Sequence, residues 1–174
     1  MKRIIFTVVI TVAVAACNAP SSHATTGTST TNDTLTYPFK ATYSSNITVP
    51  GSPLIAQKVL QVWKMFETMD IQAMKPYFAD SVHYDDANGM HFYGKAEQLL
   101  SYAKGDIDGL DSMRFDISMW QSAHINDRNE DWVNIWATER RYPKKGMPTA
   151  SLMQENWQVK DGKVVRFNQY TAKQ

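Results

Sequence analysis

The sequence of 174 residues has little of three things: cysteine, net charge and long apolar runs. Its single cysteine cannot form an internal disulfide, which excludes a disulfide framework. A formal net charge of +1 offers no basic excess for binding nucleic-acid phosphates. The apolar run at residues 4–16 is shorter than the ~20 residues that a transmembrane helix needs. We therefore expect no nucleic-acid partner and no transmembrane anchor.

Motifs for phosphate binding and nucleophilic catalysis are also missing. The sequence has no Gly-rich phosphate loop and no Gly-x-Ser-x-Gly motif. Two histidines and an aspartate, His83, Asp85 and His91, are of types that can bind zinc or iron. Their spacing matches no recognised metal motif, so we predict neither a metal nor a cofactor.

The N-terminus has the layout of a secretory signal. Lys2 and Arg3 precede the apolar run, and small residues lead up to Cys17. Val14-Ala15-Ala16-Cys17 resembles the lipobox of bacterial lipoproteins, in which the cysteine becomes the new N-terminus and carries acyl chains. The resemblance implies a signal peptide at residues 1–16, lipid attachment at Cys17 and firm anchoring in a membrane by several acyl chains. The alternative is a plain secretory signal with an incidental cysteine.

The resemblance also implies a destination, because the residue after the cysteine is Asn18 and not the Asp that often retains lipoproteins at the inner membrane. We expect the outer membrane, with the protein facing the periplasm. Removal of the leader takes away Lys2 and Arg3, so the formal charge falls from +1 to −1.

The mature chain divides into a tether and a folded domain. Residues 17–51 are interpreted as a lipid-anchored tether, since residues 18–36 are rich in Ser and Thr and have no apolar periodicity. Within it, residues 37–50 contain alternating apolar side chains that could dock on the domain, and the sequence leaves this open. Residues 52–174 are long enough for one hydrophobic core.

The domain begins with helical patterns and ends with strands. Ser52-Pro53 opens a helix with apolar residues at helical spacing as far as Met69, and Asp70 can cap a short second helix. A third helix is predicted at residues 94–103, closed by Gly105. From Ser112 onward the apolar period is two, which predicts strands, and Asp161-Gly162 predicts a hairpin. Helices followed by antiparallel strands indicate an α+β fold.

Residues 54–171 resemble the SnoaL-like polyketide cyclases and the ketosteroid isomerases of the nuclear-transport-factor-two-like superfamily. The matching segments are Val62-Trp63, Phe78-Ala79-Asp80-Ser81-Val82, Gly94-Lys95-Ala96-Glu97, Glu155-Asn156-Trp157 and Asp161-Gly162-Lys163-Val164. The resemblance implies a cystatin-like α+β barrel, a cone-shaped curved antiparallel sheet wrapped around three N-terminal helices. It further implies an apolar pocket in the cone and a homodimer through the outer face of the sheet.

Asp85 is the candidate catalytic residue. By resemblance to the ketosteroid isomerases, Asp85 takes the position of their general base. Alternation along a strand places His83 on the same face, as the candidate proton partner. Val62 takes the position of the tyrosine in their oxyanion hole, and valine has no hydrogen-bond donor. Oxyanion stabilisation is usually the largest catalytic contribution, so the catalytic site is incomplete.

Aromatic and polar residues are expected to line the ligand pocket. They are Trp63, Phe66, Tyr77, His91, Glu155 and Trp157. Glu155 shares the inward parity of its strand with apolar residues, and a buried charge is costly unless it is paired. Arg140 or Arg166 is its expected partner.

Two functions follow from these residues. The first is an envelope lipoprotein that binds a small apolar molecule in its cone or mediates dimeric assembly, without catalysis. The second is an acid/base enzyme of the isomerase, cyclase or dehydratase type, with Asp85 as the general base acting on a small organic substrate. The sequence does not decide whether the protein is catalytic, and it does not identify the ligand.

Overall fold

The computed structural model describes residue 38 and residues 40–173, so the signal peptide, Cys17 and most of the predicted tether lie outside the described residues. The helices are α1 (Pro53–Glu67), α2 (Ile71–Met74) and α3 (Ala96–Ile107). The strands are β1 (Ile47–Thr48), β2 (Phe78–Asp86), β3 (His91–Lys95), β4 (Leu110–Ile125), β5 (Glu130–Pro143), β6 (Thr149–Lys160) and β7 (Lys163–Lys173). The α+β class and the curved sheet with three helices are confirmed.

Helix α1 forms where the apolar spacing predicts it. Pro53 occupies its first turn, where a missing N–H costs nothing. Ala56, Val59, Val62 and Trp63 recur on one face and are buried against the sheet. No helix among the described residues is long and apolar enough to cross a membrane.

The second helix continues as a 3₁₀ turn, and the third helix is longer than predicted. Asp70 caps α2 as predicted, accepting a hydrogen bond from the Ala73 N–H at 3.2 Å. Pro76 cannot donate within a helix, and the chain continues as a 3₁₀ turn at Lys75–Tyr77. The prediction that Gly105 closes the third helix is wrong, since α3 runs to Ile107. The buried Ile107 adds one more contact to the apolar face of α3 and favours the extension.

The seven strands form one sheet in the order β1-β4-β5-β6-β7-β2-β3. All neighbours are antiparallel except β2 and β7, which are parallel, so the sheet is mixed where the sequence led us to expect an antiparallel one. The predicted hairpin at Asp161-Gly162 is confirmed: both residues have positive φ, 51° and 73°, as a type I′ turn requires.

The sheet has a buried inner face against the helices and a more polar outer face. Val133 and Ile135 on β5 are fully buried on the inner side. A register shift between Ile117 and Met119 reverses the alternation along β4. Met119 therefore pairs with Trp136 on the outer face, so the apolar period of two expected from Ser112 onward is interrupted within β4. The same shift turns Trp120 toward the side of α1.

The segment before α1 docks on the free edge of the sheet, which the sequence had left open. Ile47 and Thr48 pair with the end of β4, and the Gly51 N–H donates to the Ser122 carbonyl at 2.8 Å. A Cβ on Gly51 would lie 2.8 Å from the Ala123 carbonyl carbon, so only glycine permits this approach. Tyr43 adds a hydrogen bond to the Glu130 carboxylate.

Candidate functional site

Asp85 lies in a cluster of charged and imidazole side chains formed by three adjacent strands. Its Oδ1 is 3.1 Å from His83 Nε2 and 2.8 Å from His91 Nδ1. Its Oδ2 accepts a hydrogen bond from Arg166 Nη2 at 2.8 Å. The pairing of β2 with β3 and β7 places these residues side by side, so the structure brings the predicted Asp85, His83 and His91 together.

This cluster is on the outer face of the sheet, because Val82 and Tyr84, which alternate with it along β2, pack inward. The hydrogen bond from His91, with further contributions from Arg166 and His83, lowers the pKa of Asp85. A carboxylate that is stabilised as an anion and already accepts several hydrogen bonds is a weak base. The geometry fits an ion-pair cluster better than a general base.

Glu155 lies inside the domain, on the inner face of β6. The Trp157 indole N–H donates to its Oε2 at 2.8 Å. Burial raises the pKa of Glu155 to about 8, so the side chain is mostly protonated and uncharged at neutral pH. The expected arginine partners are wrong: Arg140 binds Asp116 and Arg166 binds Asp85. Both arginines lie on the outer face, away from Glu155.

Trp63, Glu155 and Trp157 form one interior cluster, while the other predicted pocket residues lie elsewhere. The Trp63 indole faces Glu155 and lowers the pKa of the Glu155 carboxyl. The buried Nε1 of Trp63 nevertheless has no well-aligned hydrogen-bond partner among the described residues. Phe66 stacks on Phe115 at 6.2 Å, and the Tyr77 hydroxyl bonds to Gln61 at 3.2 Å. His91 is on the outer face with Asp85.

A second interior carboxyl, Glu139, was missed from the sequence. Its Oε2 lies 2.9 Å from Arg141 Nε, and Arg141 also binds Asp106 at 2.7 Å. Its negative charge contributes to the raised pKa of Glu155. Glu139 alternates in step with the buried Ile135 and Ala137 along β5, and this pattern could have identified it as an interior residue.

The interior cluster is packed with large side chains. The Trp157 ring stacks on Phe167 with 4.4 Å between centroids, and Phe78 packs against both rings. Trp63, Phe78 and Trp157 are all buried. These aromatic side chains pack against one another on the inner face of the sheet.

An open groove of about 780 Å³ lies between α1 and β4. Ala56 and Leu60 on α1, Trp120 on β4 and Pro50 in the docked segment supply apolar wall, and Gln57, Gln61 and Lys64 add polar groups. None of the predicted pocket residues lines it. Trp120 remains 55% exposed there, and the register shift that turns it to this side has no signal in the sequence pattern.

Comparisons with known proteins address the leader and the domain separately. Residues 1–18 match the family model for the prokaryotic membrane lipoprotein lipid attachment site. A comparison with curated protein sequences gives no significant match. The match at the leader places the protein in the cell envelope, anchored by lipid.

Solved structures with the same fold share little sequence with this chain. A candidate SnoaL-like polyketide cyclase from Shewanella denitrificans is 12% identical with a TM-score of 0.59, over 70% of this chain and 92% of that one. An LEH-like epoxide hydrolase from M. tuberculosis is 11% identical with a TM-score of 0.57, over 68% of this chain and 82% of that one.

A third structure, from Catenulispora acidiphila, has a ketosteroid isomerase-like fold and a bound trimethylamine. It is 19% identical with a TM-score of 0.53, over 69% of this chain and 86% of that one. Such identities show the fold alone. The protein is therefore a lipid-anchored envelope lipoprotein whose domain has a SnoaL-like fold.

Proposed function

We propose that this lipoprotein binds a small, mostly apolar molecule in the groove between α1 and β4. The observation that carries the proposal is the groove itself, whose volume of about 780 Å³ is within the range of small-molecule sites. The proposal keeps the ligand class expected from the sequence but moves it from the centre of the cone to the side of α1.

The groove walls indicate the chemistry of the ligand. Trp120 is 55% exposed, and covering a large apolar side chain is favourable by about 25 cal/mol for each Å² removed from water. Gln57, Gln61 and Lys64 lie along the α1 side and can orient a polar or anionic group. We infer a ligand with an apolar body and one polar end.

We propose binding without catalysis as the primary function. Asp85, the predicted base, is outside the groove, and its hydrogen bonds hold it as an anion. Val62 supplies no donor for an oxyanion, and Glu155 is buried and accepts a hydrogen bond from the Trp157 indole. The acid/base alternative and the homodimer both stay predictions.

A titration with the fluorescent apolar probe 1-N-phenylnaphthylamine tests the proposal, using the detergent-solubilised lipoprotein. We expect saturable binding at one site, weakened at least fivefold by Trp120→Ala. Leu54→Ala is the matched control, because Leu54 is on α1 and 67% exposed but outside the groove. Equal affinities for all three proteins would contradict the groove as the site.

For location, we propose the outer membrane with the domain facing the periplasm. Anchoring in the envelope follows from the lipid attachment site. Asn18 after the cysteine supports the outer membrane, by resemblance to lipoproteins that are not retained at the inner one.

A further inference from the structure

The segment that leads into α1 exposes apolar side chains at the mouth of the groove. Val49 is half-exposed, Leu54 is mostly exposed, and Pro50 and Pro53 between them are exposed as well. Val49, Pro50 and Pro53 line the groove, and Leu54 follows them directly. We call these four residues the rim patch. Removing such side chains from water is favourable, so the rim patch is a candidate contact surface.

A basic side chain, Lys58, adjoins the rim patch on α1. Lys58 follows Leu54 by four residues, so the two side chains lie on the same face of the helix. Its Nζ is 3.5 Å from the Gly162 carbonyl oxygen, and it pairs with no carboxylate in the described part of the chain. The rim patch therefore has a cationic group at its edge that no acidic side chain neutralises.

The sequence around the rim patch has no acidic residues. Residues 34–66 contain Lys40, Lys58 and Lys64 but neither Asp nor Glu. The rest of the mature chain contains 13 basic and 17 acidic residues. Lys64 pairs with Glu67, the first acidic residue after this stretch. A chain that is otherwise acidic is therefore cationic here, which favours an anionic partner.

The acidic side chains that meet the docked segment are engaged within the domain. The Ser44 hydroxyl donates to Asp127 at 2.6 Å, and the Tyr43 hydroxyl donates to Glu130. Arg128 Nε also donates to Glu130, at 3.2 Å, and compensates its charge. These bonds hold the segment against the turn between β4 and β5, so the rim patch that follows it has a defined position.

The chain that leads to the rim patch comes from the lipid attachment site. The stretch from Cys17 to Lys40 spans at most about 80 Å when fully extended, which limits the distance between the domain and the bilayer. Docking of the domain on the bilayer is then an intramolecular event with a high effective concentration. Under these conditions a small contact surface is sufficient, whereas a freely diffusing protein would need a larger one.

The rim patch is too small for a stable contact with another protein. Such contacts involve about 20–30 residues on each side, and the rim patch has four. A bilayer interface accepts individual apolar side chains among its head groups, and its anionic lipids attract lysine. The exposed apolar side chains, Lys58 and the lipid attachment site together fit a membrane surface.

The loop between β5 and β6 offers similar chemistry at the other end of β5. It carries Lys144, Lys145 and Met147, which is 82% exposed. The cleft beside it is lined by two lysines and three aspartates, Lys104, Lys144, Asp70, Asp108 and Asp111. The acidic excess in this cleft favours anionic lipid less than the cationic surroundings of the rim patch do.

We propose that the rim patch and Lys58 rest on the anionic surface of the membrane that holds the lipid anchor. In this orientation α1 begins at the lipid head groups, and the mouth of the groove faces the bilayer. The loop between β5 and β6 is then the end of the domain away from the membrane, about 30 Å farther along β5. This contact is separate from the ligand binding proposed for the groove.

The test reconstitutes the full lipoprotein into vesicles of phosphatidylethanolamine and phosphatidylglycerol, with a nitroxide spin label on an introduced cysteine. Leu54→Cys places the label on the rim patch, and Met147→Cys places it on the loop between β5 and β6. Collisions of the label with oxygen, which enters lipid, and with a water-soluble nickel chelate report its depth. We expect the oxygen-to-nickel ratio to be at least threefold higher at residue 54 than at residue 147. Wild-type protein, whose one cysteine is at the lipid attachment site, measures background labelling.

Charge variants separate docking from simple proximity to the bilayer. Lys58→Glu should lower the ratio at residue 54 at least twofold, and so should high salt or vesicles of phosphatidylcholine alone. Lys145→Glu is the matched control, because it reverses an exposed lysine on the loop between β5 and β6, and it should leave that ratio unchanged.

The groove and the membrane contact can fail independently. Lys58 does not line the groove, so Lys58→Glu should bind phenylnaphthylamine in detergent as wild type does. The depth of the label at residue 54 needs no ligand in the groove, and it should be the same in the presence of Trp120→Ala.

Four results would overturn the proposal. They are equal ratios at residues 54 and 147, a higher ratio at residue 147, a ratio at residue 54 that Lys58→Glu, salt and neutral lipid all leave unchanged, and dipolar broadening between labels at residue 54 in detergent solution. The second would assign the contact to the loop between β5 and β6. The last would assign the rim patch to a second copy of the chain.

Discussion

Two carboxyl groups on opposite faces of this sheet have opposite protonation behaviour. Hydrogen bonds from His91 and Arg166 lower the pKa of Asp85 on the outer face, so it stays charged. Burial raises the pKa of Glu155 on the inner face to about 8, so it holds a proton at neutral pH. The number of donors around each carboxyl and its exposure to water explain the difference.

Glu155 should make the stability of the domain depend on pH. Its pKa is about 8 when folded and ordinarily 4.5, so the folded state binds more protons between these values. The free energy of unfolding should then fall as pH rises from about 5 to about 8. In Glu155→Gln this fall in the free energy of unfolding with rising pH should disappear. The variant should then be more stable than wild type at pH 8 by up to a few kcal/mol.

Denaturant unfolding at several pH values from 5 to 9 measures this effect. Glu97→Gln serves as the control, because Glu97 is an exposed glutamate paired with Lys75 at the surface. It should retain the wild-type slope. A Glu155→Gln variant with an unchanged slope would show that Glu155 is not the buried titrating group.

At the scale of elements, the sequence predicted those parts that depend on local pattern. The apolar spacing of α1, the Asp70 cap and the Asp161-Gly162 hairpin are all present. Alternation also placed Glu155 on the inner face. Each of these features is determined by residues close together in the chain.

Features that depend on distant parts of the chain escaped prediction. The register shift after Ile117 is set by pairing between β4 and β5, and it alone turns Trp120 toward α1. Docking of the segment before α1 requires the β4 edge to be in place. The groove depends on both, so no local pattern could have revealed it.

Gly51→Ala should loosen the docked segment. The new Cβ would lie within 3.0 Å of Ala123 backbone atoms, which cannot yield without moving one strand. We expect a loss of about 1–3 kcal/mol in stability and weaker binding of phenylnaphthylamine, because residues 49–51 form one wall of the groove.

Hydrogen exchange of residues 43–51, together with the probe titration, measures the effect. Gly105→Ala is the matched control: its Cβ would meet nothing within 4 Å, and alanine favours a helix. It should preserve both exchange and binding. Normal exchange and normal probe affinity in Gly51→Ala would refute the role of this segment in the groove.

At the scale of the whole molecule, a lipid attachment site precedes a domain that carries a candidate binding groove. The fold is shared with proteins of several activities that are 11–19% identical to this chain, so fold alone assigns none of them. This protein combines a lipid attachment site with the groove beside α1.

The proposed outer-membrane location leads to a prediction for Asn18. By resemblance to other lipoproteins, Asn18→Asp should move the protein to the inner membrane, whereas Asn18→Gln should not. Separation of inner and outer membranes on a density gradient, with detection of the protein in each fraction, checks this. Wild-type protein in the inner-membrane fraction would contradict the proposal.

The most direct test of the account is native mass spectrometry of the lipoprotein extracted in mild detergent from its own envelope. We predict one bound small molecule per chain, lost on denaturation, retained by Leu54→Ala and depleted in Trp120→Ala. A wild-type protein that carries no such molecule, or a Trp120→Ala variant that carries it at the same occupancy, would contradict the groove as its binding site.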